Sequence, residues 1–406
     1  MCRLFTALCC LRLSNSLQWP SLQPQRLLPP AARLALDPNA MVQMRAEASA
    51  DAKTVGAALV WEESFRGADV AAAVFAAVAG GQNAFVAFPN LRDAQMLTKL
   101  CVVFQSHAEL GVFSAEVAHH PKSVVSQLAL TFHREAPQPR GDGAATDAPN
   151  AVPTTMPTAV ATRMPTAGPT AVPTADVLAD AAVADAVRRT EEWVDGFLGK
   201  NNLCPYTRST TQAAVGLASV GVAPGGVVVR VQDAADAATV AAAFWACTAD
   251  LLAAPEKEAA TALLVLPCFD GDFLAFSKIC DGVVEDSVGA VCGADVIGRA
   301  WFHPLYTAND VGHSTVVAGH ALPHDMVLDF CTRQASAAAA PLTFQRVAGA
   351  NDLVRRTPHA TINILRRSQL IAAAAYEAAL PMTPVANRVY VRNVQTLLRN
   401  TAAEET

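Results

Sequence analysis

Apolar positions along this chain alternate between strand and helix spacing, and the whole alternation occurs twice. Leu59 and Val60 open a first strand, and Val70, Val74 and Val78 then recur at helical spacing until Gly80-Gly81 ends the stripe. Phe85-Val86-Ala87-Phe88 reads as a short buried strand stopped by Pro89, after which Asn90 can cap a helix with Leu97, Cys101 and Phe104 on one face. Val112 to Ala118 returns as a strand ending at His119-His120-Pro121, and Gln127 to His133 supplies one more.

After a long interruption the order returns. Val227 to Val231 is β-branched, Val240, Phe244, Cys247 and Leu251 mark an amphipathic helix ended near Pro255, and Leu263-Leu264-Val265-Leu266 is stopped by Pro267. A helix with Phe273, Phe276, Cys280 and Val283 on one face precedes a strand from Ile297 that ends at His303-Pro304. The last strand is Thr361 to Leu365, followed by helices around Ile371 to Ala379 and Tyr390 to Leu398. The stretches from Pro89 to Pro121 and from Pro267 to Pro304 are close in length and both end in His-Pro, which implies a degenerate tandem repeat. An insertion from about Asn309 to Gly349 belongs to the second copy alone.

Parallel strands joined by helical crossovers and closed by a hairpin-like strand give the expected fold class. It is α/β, with two degenerate βαβαββ-type repeats, each a mixed sheet packed by helices. Ligands on such sheets usually sit at the carboxyl ends of strands, which is where this reading puts His303 and His120.

The segments outside the repeats are compositional. Residues 1–50 carry Arg3, Arg12, Arg26 and Arg33 with leucine, serine and proline and no acid before Asp37, the composition of an organelle-targeting leader expected to be disordered. That points to a mitochondrion or plastid, and to the cytoplasm if the true start is Met41 or Met44. Residues 135–175 hold repeated Pro-Thr steps such as Val152-Pro153-Thr154 and Met164-Pro165-Thr166, an extended linker without large side chains to bury. The expected units are therefore an N-terminal α/β repeat over 54–134 and a C-terminal α/β domain over 176–400.

Composition narrows the function classes. Hydrophobic residues make up 52% of the chain, but alanine supplies much of that, and no apolar stretch long enough to span a bilayer lacks charge or proline. A soluble protein with no transmembrane segment follows. The formal charge of -6 argues against nucleic acid as a partner, although Arg355, Arg356, Arg366, Arg367, Arg388, Arg392 and Arg399 concentrate positive charge near the C-terminus. The ten cysteines show no CxxC and no framework spacing, so Cys101, Cys247 and Cys280 read as core thiols in a reducing compartment.

Trp193, Asn202-Leu203-Cys204-Pro205-Tyr206, Phe302-His303-Pro304 with Tyr306, Arg356-Thr357-Pro358, Leu365-Arg366 and Arg392-Asn393 together resemble the family catalogued as domain of unknown function 1415. The resemblance covers roughly Asp185 to Asn400 and implies kinship and a shared site, without an activity. This chain departs from the family pattern at Asn363, where the family has a histidine, and at Arg367, where it often has an acid.

The candidate catalytic residues are Cys204, a nucleophile if a base is in reach, and His303, fixed by the proline after it at a strand end. Cys204 follows a helix C-terminus, whose dipole disfavours a thiolate. Arg356, held extended before Thr357-Pro358, can grip a carboxylate or phosphate, and Asn202, Tyr206, Tyr306 and Arg366 complete a candidate substrate-binding set. His313, His320, His324, Asp325, Asp329 and Cys331 invite a metal, but Pro323 breaks the helix that would align His320 with His324, so no metal site is assigned. Walker, dinucleotide, HExxH and Gly-x-Ser-x-Gly motifs are missing, and no cofactor is assigned. Two readings stand. One is an organellar enzyme or binder of a small anionic metabolite with a His/Arg/Cys site in the C-terminal domain. The other is a non-enzymatic organellar assembly or interaction factor with a protein partner.

Overall fold

A computed structural model of the chain describes residues 38–54, 57–61, 66–88, 95–119, 126–132, 175–201, 203–204, 206–291, 296–308, 319–334, 342–378 and 392–399. The linker expected over 135–175 lies almost wholly outside these residues, as do the leader up to residue 37, His120 and His313.

The first repeat runs β1 (Ala58–Trp61), α2 (Gly67–Ala79), β2 (Ala84–Phe88), α3 (Gln95–Ser106), β3 (Val112–His119) and β4 (Ser126–Phe132), with α1 (Pro38–Thr54) preceding it. The second runs β5 (Gly226–Val231), α5 (Ala237–Ala253), β6 (Ala259–Val265), α6 (Phe273–Ile279), α7 (Glu285–Ala290), β7 (Ile297–Phe302) and β8 (Thr361–Arg366), with α4 (Ala175–Trp193) before it and α10 (Arg367–Ala378) after it. Helices α8 (His324–Gln334) and α9 (Phe344–Leu353) come from the insertion, and residues 392–399 form a last helix.

Both sheets have four strands and one topology, β1-β2-β4-β3 and β5-β6-β8-β7. In each, the first two strands are parallel and the last two close antiparallel onto the second. The duplication extends to side chains. Ala68, Val70, Ala71, Ala72, Ala73, Ala76 and Ala79 of α2 correspond in order to Ala238, Val240, Ala241, Ala242, Ala243, Ala246 and Ala249 of α5, and Phe75 corresponds to Trp245.

Those two helices pack on each other. The alanines let the backbones approach, while Val74, Phe75, Phe244 and Trp245 are fully buried beside them. One cluster of buried side chains runs from Val86, Leu128 and Leu130 of the first sheet through both helical layers to Leu264, Ile362 and Ile364 of the second. The repeats therefore share a core. One polar tie crosses the seam between repeats, His107 Nε2 to Asp286 at 2.9 Å, and within the second repeat Trp245 Nε1 donates to Ser287 Oγ at 2.9 Å.

Each sheet is covered on its outer face too, which explains why the central strands β2 and β6 are buried throughout. Over the first sheet lies α1, whose Ala48 and Ala52 pack on Phe85 and Ala87. The stretch from Pro38 to Ala50, grouped with the leader from sequence, is thus part of a helix that completes the first repeat. Over the second sheet lie α4 and α10; a Cβ at Gly298 would fall 2.2 Å from Leu370 Cδ1, so the glycine lets α10 settle on β7. A separate cluster joins α8, α9 and the 392–399 helix through Val327, Cys331, Val347, Val394 and Leu397, and takes in Leu203. No helix among the described residues is long and apolar enough to cross a membrane.

Candidate functional site

The second sheet's outer face is not fully closed. Helix α4 passes into a π-helical turn, Val194–Gly199, and the chain then folds back on it. Such turns commonly re-aim the residues that follow. Asn201 Nδ2 caps Phe197 O at 2.9 Å, Leu203 N reaches Leu198 O at 3.0 Å, and a Cβ on Gly199 would lie 2.3 Å from Arg208 O. This reversal brings Leu203 and Cys204 to the same cavity as residues of the sheet.

A cavity of about 280 Å³ results, near the lower end of ligand-sized cavities. Its floor is the sheet: Val227 of β5, Thr261 and Leu263 of β6, Phe302 of β7, and Asn363 and Leu365 of β8. Trp193, Val194 and Leu198 form one wall with Leu203, Cys204 and Tyr206, and Gln369, Leu370 and Ala373 of α10 form another. The insertion side contributes Val354 and Arg355, and the last helix contributes Asn393.

The polar groups in this apolar slot are positioned. The Arg355 guanidinium lies over the Phe302 ring, Cζ 5.0 Å from the centroid, and its Nη2 donates to His320 O at 3.2 Å. Phe302 in turn meets Trp193 edge-on at 5.7 Å, and Trp193 stacks on Phe197 at 6.2 Å. On the floor, Thr261 Oγ1 lies 2.8 Å from both Asn363 Oδ1 and Ile364 O. Gln369 Nε2 donates to Ala260 O at 2.7 Å.

The residues singled out from sequence divide sharply. Cys204 and Tyr206 line the cavity; His303, Tyr306, Arg356 and Arg366 do not. The expectation for Asn202 concerns a residue outside those described. His303 turns into the inner core, where Leu305 N donates to its Nδ1 at 3.0 Å and its Nε2–H donates to Phe269 O at 2.7 Å. With both nitrogens engaged between Phe273 and Phe276, the ring has none left for Cys204. Burial holds its pKa below the usual histidine value.

Tyr306 is buried as well. Its hydroxyl accepts from Ala321 N at 2.7 Å and lies 3.2 Å from His320 Nδ1, while His320 Nε2 reaches the Asp281 carboxylate at 2.8 Å. Burial pushes the phenol up to about 12. Arg356 is exposed and its Nε donates to Tyr306 O at 3.2 Å, which fastens the turn after α9 to the strand-end loop. Arg366 is buried beneath the C-terminus of α5, donating to Leu251 O, Ala254 O and Ala259 O. It acts there as a helix C-cap. His324 is held by Asp352 and His359 by Asp270, so His320 and His324 face different carboxylates.

Sequence reasoning passed over Arg355, Thr261 and the polar side of Asn363. A signal for two of them existed. Thr261 is the polar residue of an otherwise apolar β6 and Asn363 stands between Ile362 and Ile364 of β8, and adjacent strands bring such positions together.

Residues 185–317 match the family model described as "Protein of unknown function (DUF1415)". The matched segment holds Trp193, Leu203, Cys204, Tyr206 and Phe302 of the cavity and the strands β5, β6 and β7 beneath it. Arg355, Asn363 and Asn393 lie beyond it, as does the first repeat. Neither a curated protein nor a solved structure matched the chain. A second, shallower cleft of about 490 Å³ between α2 and α5 is bordered by Arg66, Asp69 and Asp250, charges that already pair as Arg66–Asp69 and Arg230–Asp250.

Proposed function

We propose that this protein binds a small anionic metabolite in the capped cavity of its second repeat, with the Arg355 guanidinium facing the negative charge and Cys204 in the lining. One observation carries the reading. Trp193, the Leu203–Cys204 turn with Tyr206, Phe302, Leu365 and Asn393 come from segments far apart in sequence, and all reach this one cavity. Packing alone would not require them to leave a space between them. The cavity sits where two hydrophobic clusters meet, the α8–α9 cluster through Leu203 and Val354 and a smaller one through Ala213, Ala214 and Leu217.

Binding is favoured over acid–base chemistry by the lining itself. Among the described residues that line the cavity there is no imidazole and no carboxylate to take a proton from Cys204. The test is a thermal-shift screen of the full chain against anionic metabolites, repeated with Ala373→Phe, which fills the space from α10. A ligand present at a hundred times its Kd contributes about 2.7 kcal/mol, a rise in Tm on the order of 5 °C. The expected result is such a rise in the parent protein and none in Ala373→Phe. Equal shifts in both would overturn the reading.

A further inference from the structure

We infer that the ligand is a monocarboxylate with an elongated hydrocarbon body, a substrate class that rests on the binding reading above. Three features of the cavity lead there. The first is charge. Arg355 is the only Lys or Arg among the described lining residues, and a planar guanidinium matches one carboxylate by a bidentate pair. A phosphate carries close to two charges and is usually met by several cations, whereas the described lining offers one.

The second feature is shape. Arg355 lies beside the end of β7, over Phe302, which pairs with Thr361 at the start of β8. Gln369, Leu370 and Ala373 lie past the other end of β8, and Tyr206 packs there with Ala260 at the start of β6. The slot therefore follows β8 from Thr361 towards Leu365, about 13 Å at the rise of a strand. A compact acid would leave most of it empty.

The third is lining. Between its ends the slot is walled by Leu198, Leu203, Leu217, Leu263 and Leu365, so the body that fills it is apolar. Thr261 and Asn363 on the floor already bond to each other and tolerate a methylene chain passing over them.

The experiment uses the full chain and four probes: butanoate, octanoate, octanol and octyl phosphate. Affinity is read by calorimetry, with quenching of tryptophan emission as a check through Trp193. Octanoate is expected to bind at least tenfold tighter than butanoate, octanol and octyl phosphate. Arg355→Gln should weaken octanoate roughly 10- to 100-fold, the worth of one charged hydrogen-bonded contact, and leave octanol unchanged. Arg355→Lys should recover part of the loss, which separates charge from any effect on folding. Octyl phosphate binding better overturns the carboxylate assignment while leaving the anion-binding reading intact, and octanol binding as well as octanoate overturns the role of the charge in both. Octanoate binding that Ala373→Phe does not weaken overturns both.

Discussion

The two repeats have the same strand order and closely matching central helices, and the capped cavity lies on the outer face of the second. In the first, α1 lays Ala48 and Ala52 directly on Phe85 and Ala87, and small side chains bring helix and sheet into contact. In the second, Leu263 stands at the place of Phe85 and Asn363 at the place of Ala129 in the register of the sheets. The covering there is composite: a π-turn, the reversal at Cys204, α10, and the cluster built from the insertion. The scaffold was duplicated, whereas the site depends on what was added around one copy. That is the usual relation of function to fold.

The comparison can be broken most severely at Arg366. Its guanidinium satisfies two backbone carbonyls at the end of α5 and one at the start of β6, and the corresponding position of the first sheet is Phe132, so the second repeat relies on a charge there and the first does not. Arg366→Leu strands those carbonyls under the sheet and should cost about 3 kcal/mol, seen as a lower urea midpoint. A change below about 1 kcal/mol would mean the cap is dispensable.

Much of this was legible in the sequence, and the limits have a physical cause. Helical and strand periods located β2, β6, α2 and α5, and the prolines after Phe88 and Leu266 marked the matching ends. The closeness of the repeats was underread because the match between α2 and α5 is mostly alanine, which resembles composition rather than signal. The motifs were visible, but not which member of each reaches the cavity. Successive strand residues face opposite sides, so Phe302 looks out to the cavity while His303, one step on, turns to the inner core. Arg355 and Arg356, in the turn after α9, divide too: Arg355 lines the cavity and Arg356 donates to Tyr306 O. Choosing between such neighbours needs to know which sheet face carries the cap, and the cap is assembled from segments remote in sequence.

His303 offers a gentler probe of the same inner face. Burial lowers its pKa in the fold, so on acidification the unfolded chain takes up the proton first, around the ordinary value of 6.5. Stability should therefore decline as pH falls through that value and level off once the folded protein is protonated as well. His303→Asn, which can still accept from Leu305 N, should flatten this part of the profile. The difference between the two stability curves isolates His303 from the carboxylate-paired histidines. Identical slopes would show that the ring is not held neutral.

The smallest effect on stability is the one that sharpens the contrast most. Asn363→Ala installs the residue that the first sheet has at this register position, in the cavity floor and away from both α2 and α5. Thr261 keeps Ile364 O as a hydrogen-bond partner, so its hydroxyl is not stranded, and the loss should stay near 1 kcal/mol. Octanoate affinity should nonetheless change by several-fold, because the floor under the slot loses its amide and gains space. If affinity is unmoved while stability falls by much more, Asn363 serves the sheet, and the two repeats differ on this face only in what covers them.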